Sequence, residues 1–170
     1  MTALADGVHA PDIELSSMEG VRFSLREALQ RGPAIVAFFK VNCPVCQFTF
    51  PYLQRIFQAY GQASGGSGAF TLVGISQDSV PHTQAFNREF GVAFSTLLDE
   101  KGNYPVSNAY GVTNVPTIFV VSPAGEIESS IVGWSKPDME QLNRKLAQLS
   151  GLAPSPMFAP GEKVPEYKPG

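Results

Sequence analysis

A chain of 170 residues, 44% hydrophobic and 16% charged with a net charge of −3, is long enough for one domain with a sizeable core. Its Lys and Arg residues form no cluster of the kind phosphate binding needs, so nucleic acid is excluded as a partner. The longest apolar run, Ala34–Phe39, is far too short to cross a bilayer, so no membrane span is expected.

Residues 1–7 carry neither a basic n-region nor an apolar h-region, so a cytosolic location is expected; a leader removed before maturation would instead make it periplasmic or membrane-tethered. Pro11–Leu15 alternates apolar and polar residues and predicts a short strand, with Met18–Gly20 as a turn and Val21–Phe23 as the returning strand. Ser24 followed by Glu27 is a capping-box pattern, so a short helix starts there and ends before Gly32-Pro33. Ala34–Phe39 is continuously apolar, the pattern of a strand buried on both faces. A helix follows over 44–60, with Phe48, Tyr52, Ile56 and Tyr60 on one stripe, Leu53 and Phe57 beside it, and a kink expected at Pro51.

Gly61–Gly68 is Gly/Ser-rich and predicts a flexible loop. Phe70–Ser76 is a second core strand, and Asp78 or Ser79 caps a helix whose inner face carries Phe86 and Phe90. Thr96–Leu98 is a short strand, Asp99–Asn103 a turn and Tyr104–Tyr110 a short helix. Thr117–Val121 is another strand, joined through the turn Pro123–Gly125 to an edge strand over Glu126–Val132. Ser135–Asp138 starts a last helix with a stripe of Met139, Leu142, Leu146 and Leu149. Beyond it, Pro154, Pro156, Pro160, Pro165 and Pro169 leave no room for a helix or interior strand. An extended tail is expected, either disordered or laid over the body, with Met157, Phe158 and Tyr167 as the residues by which part of it packs. The order of elements predicts an α/β sandwich with a mixed central sheet.

The only cysteines, Cys43 and Cys46, stand two residues apart where the first core strand gives way to a helix. If Cys43 is the N-cap and Pro44 the first helical residue, the unpaired N–H groups of the first turn and the helix dipole favour the Cys43 thiolate. Cys46, one turn in, is close enough to close a disulfide and is the more buried of the two. Cys43 then attacks and Cys46 resolves. Two other readings compete. A CxxC supplies two zinc ligands, but a structural site needs four, and His9 and His82 lack ligand spacing. Plain burial of two small apolar side chains fits poorly with the exposed end of a sheet. His82 reads as a solvated neighbour of a helix start and Trp134 as packing at the end of the edge strand.

The segment Phe38-Phe39-Lys40-Val41-Asn42-Cys43-Pro44-Val45-Cys46-Gln47-Phe48-Thr49-Phe50-Pro51 resembles the active-site strand and helix of the thioredoxin superfamily, in particular its redoxin branch of peroxiredoxins and cytochrome-maturation thiol-disulfide oxidoreductases. Ala10–Leu15 resembles the N-terminal segment of that branch, and Tyr110–Thr117 the segment that carries its cis-proline. The resemblance covers roughly residues 8–150. It implies a thioredoxin-like three-layer sandwich with a mixed central sheet and an N-terminal extension, together spanning 1–150, and leaves the Pro-rich extended tail over 151–170 unexplained. It further implies that Cys43 and Cys46 form the redox-active disulfide and that Pro116 is cis. Pro44, Val45, Val115 and Pro116 then contact substrate, with the Val115 backbone pairing with an extended chain. No cofactor and no metal are expected. The partners are protein or small-molecule thiols and disulfides, together with an electron donor or acceptor. The implied activity is thiol-disulfide exchange in redox homeostasis and antioxidant defence.

The departures from the family pattern concern tuning. Asn42 replaces the tryptophan of thioredoxins, Ala37 their buried acid, and Thr49 the glutamate of the cytochrome-maturation relatives. Ser122 opens a turn that relatives open with aspartate, and Pro44-Val45 differs from the Gly-Pro of thioredoxin itself. The usual proton acceptors for Cys46 are therefore missing, with Lys40 or a water as the remaining candidates. A thiol peroxidase is the alternative enzyme. Its threonine three residues before the reactive cysteine is Lys40 when counted from Cys43 and Cys43 itself when counted from Cys46. The alternative without catalysis is an interaction module regulated by the disulfide.

Overall fold

The computed structural model describes residues 2–61, 68–99 and 103–170. In chain order the elements are β1 (Glu14–Ser16), β2 (Arg22–Ser24), α1 (Leu25–Leu29), β3 (Ala34–Phe39), α2 (Pro44–Ile56), β4 (Thr71–Ser76), α3 (Val80–Phe90) and β5 (Ser95–Leu98). They continue with α4 (Pro105–Ala109), β6 (Thr117–Val121), β7 (Ile127–Val132), β8 (Trp134–Ser135), α5 (Lys136–Leu149) and β9 (Tyr167–Lys168). Most of the expected loop over 61–68, and residues 100–102 of the expected turn over 99–103, lie outside the described residues.

All six residues of β3 are buried, and the period-2 geometry of a strand sends them to two different cores. Ile35, Ala37 and Phe39 face a core shared with Phe50 and Leu53 of α2, Phe86 of α3, and Leu142 and Leu146 of α5. Ala34, Val36 and Phe38 face a second core with Ile13, Leu25 of α1, Val106 of α4 and Tyr110. Helices therefore cover both faces of one five-stranded sheet in the order β5-β4-β3-β6-β7, which is the three-layer thioredoxin-like arrangement. β3 is parallel to β4 and antiparallel to β6, so the sheet is mixed. The pairing of Phe38 with Thr117 brings the start of β6 against the end of β3, and so brings residues 115–116 beside residues 40–43.

Local signals placed most helix starts. Ser24 Oγ accepts from Glu27 N at 3.3 Å and opens α1. Ser79 rather than Asp78 caps α3, and Ser135 caps α5. α2 runs through Pro51 to Ile56 and then widens into a π-helical turn over Phe57–Gly61. Its expected stripe is too narrow: Phe50 is buried toward the sheet beside the expected Leu53, while Tyr52 and Phe48 pack against Trp134 on another side. Leu149 stays exposed at the end of α5, where Asn143 and Ala147 are buried instead.

The tail lies over the body. Met157 is buried, and Phe158 packs against Tyr52 and Trp134, but Tyr167 is exposed. β9 pairs with β8 as a two-residue edge ribbon, a place where the neighbouring prolines leave the needed N–H groups free. Among the described residues no helix is long and apolar enough to cross a membrane.

Candidate active site

β3 ends at Phe39, and Lys40–Asn42 turn the chain into α2. Val41 is held from two directions: its N–H donates to Asp78 Oδ2 at 2.9 Å and its carbonyl accepts from Gln47 Nε2 at 2.9 Å. Asp78 follows β4 and Gln47 lies on α2, so the turn is clamped between a strand end and the helix it precedes.

Cys43 is the N-cap of α2 with an extended backbone, φ −93° and ψ 113°, and Pro44 is the first helical residue. Cys43 Sγ accepts from the Cys46 N–H at 3.2 Å. As a thiol it donates to the Val115 carbonyl at 3.3 Å. Both thiols are free, with Cys43 half-buried and Cys46 fully buried. The Cys46 side-chain hydrogen bond lowers the Cys43 pKa most; partial burial opposes it. The N–H groups of Cys46 and Val45 and the charge of Lys40 add to the lowering, and the outcome is about 6. Cys46 is pushed well above the ordinary thiol range, first by burial and then by Cys43 itself. The two thiols are thus driven apart, one toward thiolate at neutral pH and the other toward thiol.

The Val115–Pro116 peptide bond is cis, as expected. Pro116 is buried and Val115 half-buried, while Pro44 is exposed and Val45 half-buried around the Cys43 sulfur. On one side of Val115 a polar hollow of about 160 Å³ is lined by Lys40, Gln77, Tyr104, Ser107 and Thr113 among others. Behind it Asp99 accepts from the N–H of Val106, the N–H of Ser107 and the Ser107 hydroxyl, which in turn accepts from Gln77. All six residues read from the sequence as site residues gather within this corner.

His82 is exposed at the start of α3 and His9 lies against Gly125, both outside it. Among the described residues no three of His, Cys, Asp and Glu cluster as metal ligands. Trp134 packs in the core and donates its indole N–H to the Pro165 carbonyl at 2.7 Å. Thr49, where relatives place a glutamate, is fully buried and its hydroxyl has no hydrogen-bond partner among the described residues.

Sequence reasoning missed the clamp. Asp78 looked like a cap because it precedes a helix, and its real partner stands thirty-seven positions upstream, out of reach of any local pattern. Gln47 carries no signal at all, since a polar residue in a first turn is ordinary.

A family model described as the AhpC/TSA family matches residues 7–130. The thiol-disulfide oxidoreductase ResA of Geobacillus thermodenitrificans is 31% identical over 141 residues, which is 82% of this chain and 77% of that protein. Among solved structures, the thioredoxin domain of a thiol-disulfide oxidoreductase from Bacteroides vulgatus shares the fold at a TM-score of 0.70 and 24% identity, covering 84% of this chain and 97% of that one. A thiol:disulfide interchange protein from Bacteroides sp. matches at a TM-score of 0.70 and 25% identity, over 88% and 93% of the two chains.

Proposed function

This chain belongs to the AhpC/TSA family and is a thiol-disulfide oxidoreductase, and we propose that Cys43 is its nucleophile and Cys46 its resolving thiol. The supporting observation is the asymmetry of the pair. Cys43 Sγ sits on the first-turn N–H of Cys46 at 3.2 Å with its pKa lowered to about 6, while Cys46 is buried and held protonated. A thiolate is the attacking species in exchange, and a thiol of low pKa is also the better leaving group.

In the reducing direction the Cys43 thiolate attacks one sulfur of a substrate disulfide. The Cys43–substrate S–S bond forms and the second substrate sulfur leaves as a thiolate, which takes up a proton. Cys46 then gives up its proton and attacks Cys43. The Cys43–Cys46 disulfide closes, the remaining substrate sulfur leaves, and two electrons have passed to the substrate. The oxidising direction is the reverse. The Val115 carbonyl meets this sulfur at 3.3 Å just ahead of Pro116 and β6, and Pro44 and Val45 follow Cys43 into α2. In this reading they guide the substrate backbone toward Cys43. Residues 1–150 form the redox domain in this scheme and 151–170 a strap upon it.

Replacing Cys43 by Ser should abolish insulin reduction. Replacing Cys46 by Ser should instead leave a mixed disulfide on Cys43 that accumulates and is visible by mass. Unchanged turnover in the Cys43→Ser protein would remove the proposal. Rapid consumption of hydrogen peroxide by the reduced protein, far above that of a free thiol, would favour the peroxidase reading. The direction of electron flow follows from the reduction potential of the pair, near about −270 mV for a reductant and about −120 mV for an oxidant.

The substrates are protein or small-molecule disulfides and thiols, with a separate electron donor or acceptor closing the cycle. Likeness to a thiol-disulfide oxidoreductase and an interchange protein lends no support to the cytosolic expectation drawn from the N-terminus. A reducing compartment holds the pair as a dithiol and an oxidising one as a disulfide, so thiol trapping in intact cells distinguishes the two.

A further inference from the structure

The tail does not simply cover apolar surface. It is fastened at successive stations by the redox domain and reaches the catalytic corner. At the first station Tyr60 Oη accepts from Ser155 N at 2.8 Å, and Asn143 Nδ2 donates to Ser155 O at 2.9 Å. At the second, Glu162 accepts from Tyr52 Oη at 2.8 Å and pairs with Arg55 at 3.1 Å. At the third, the Trp134 indole donates to Pro165 O at 2.7 Å and Lys136 N donates to Glu166 O at 2.8 Å. Beyond that point β9 runs along Trp134 and Ser135, Lys168 Nζ lies over the Phe48 ring at 5.2 Å, and Asn114 Nδ2 donates to Gly170 O at 3.1 Å.

This course carries the tail to the Val115 carbonyl. A methyl group on Gly170 would lie 2.9 Å from that oxygen. The approach needs the left-handed backbone of Gly133, φ +73°, where a methyl group would meet the carbonyl of Lys168 and come within 2.7 Å of Gly170 N. The Val115 carbonyl is therefore met by Cys43 Sγ at 3.3 Å and by the end of the tail. The polar hollow of Lys40, Tyr104 and Thr113 opens beside it.

We propose that Tyr167–Gly170 is a specificity element that bars extended polypeptides from the Val115 backbone and admits small disulfides to Cys43. The inference rests on the oxidoreductase reading above. A small disulfide has to reach only one sulfur. A polypeptide has to lay chain on both sides of its cysteine, and the room beside Val115 is taken. Polypeptides enter when the last residues of the strap lift. That step breaks the β8–β9 pairing and the Asn114–Gly170 bond at the solvent edge, loosens Pro165 on the Trp134 indole, and leaves the Ser155 and Glu162 stations fastened.

The test compares the full chain with a protein lacking Tyr167–Gly170, using hydroxyethyl disulfide and insulin as substrates. The deletion should raise kcat/KM for insulin roughly tenfold, the scale of one or two net hydrogen bonds, and leave hydroxyethyl disulfide unchanged. An equal change for both substrates, or none for insulin, overturns the proposal. Failure of both proteins to turn over hydroxyethyl disulfide sinks the oxidoreductase reading and this inference with it.

A second measurement needs no deletion. Trp134 is the single tryptophan of the chain and is fully buried beneath the strap. In the Cys46→Ser protein, a mixed disulfide of Cys43 with a cysteine peptide should red-shift its emission, and one with mercaptoethanol should not. Identical emission from the two adducts overturns the proposal.

Discussion

Cys43 owes its character to position more than to neighbouring charge. The Cys46 side-chain hydrogen bond lowers its pKa most, the first-turn N–H groups of Cys46 and Val45 that the helix itself cannot use add to this, and Lys40 adds only a minor push. Alkylation of the reduced protein by iodoacetamide should therefore follow a midpoint near pH 6 at Cys43, with Cys46 unreactive at neutral pH. A midpoint near the ordinary thiol value of 9.0 would contradict the geometry. The same shift acts on stability. The folded pKa lies below the unfolded one, so the contribution is fully present above about 9 and is lost as pH falls toward 6. The asymmetry of the pair was legible in the sequence because an N-cap cysteine followed by proline is a local pattern. The clamp on Val41 was not, because Asp78 meets it only after β4 is laid beside β3.

At the scale of elements, the two-core division of the sheet follows from strand alternation, and β3 was legible because both of its faces are apolar. Replacing Phe39, fully buried against Phe50 and Phe86, with Ala should cost about 3–5 kcal/mol in urea unfolding. The start of α4 depends on a buried carboxylate. Asp99 holds three donors there, and Ala at this position should destabilise the protein by about 3 kcal/mol, since the two N–H groups lose their only side-chain acceptor. It should also loosen Ser107 and Gln77 beside the catalytic corner, which a slower Cys43 alkylation rate would report. α2 shows where periodicity fell short. A stripe was visible, but the helix is buried on more than one side, because the tail and Trp134 cover what a lone domain would expose.

For the molecule as a whole, the strap ties residues far apart in sequence into one body. Glu162 is its central fastening. Hydrogen bonds from Arg55, from the N–H of Ala159 and from Tyr52, in that order, lower its pKa to about 2 from the usual 4.5. A lowered carboxylate pKa stabilises the fastened state fully above the unfolded value and loses that effect as pH falls through the folded one. Acidification from about 4.5 to 2 should therefore release the strap and red-shift Trp134 emission, and the Glu162→Gln protein should show the shifted emission already at neutral pH. Unchanged emission across that range would mean that Glu162 does not fasten the tail.

The sequence by itself determined the cysteine pair and its asymmetry, the core strands and the proline that precedes β6. Each of these is written in neighbouring residues or in a short period: an N-cap, an apolar run, an alternation. Tertiary structure alone decided what surrounds the pair. The antiparallel register of β6 on β3 put Val115 against Cys43, the parallel register of β4 put Asp78 against Val41, and the strap brought Gly170 to the same carbonyl. Those contacts join residues separated by 37 to 72 positions, or lie at the end of a proline-rich segment without period. No local preference encodes them, because they form only when the packed sheet brings distant backbone together.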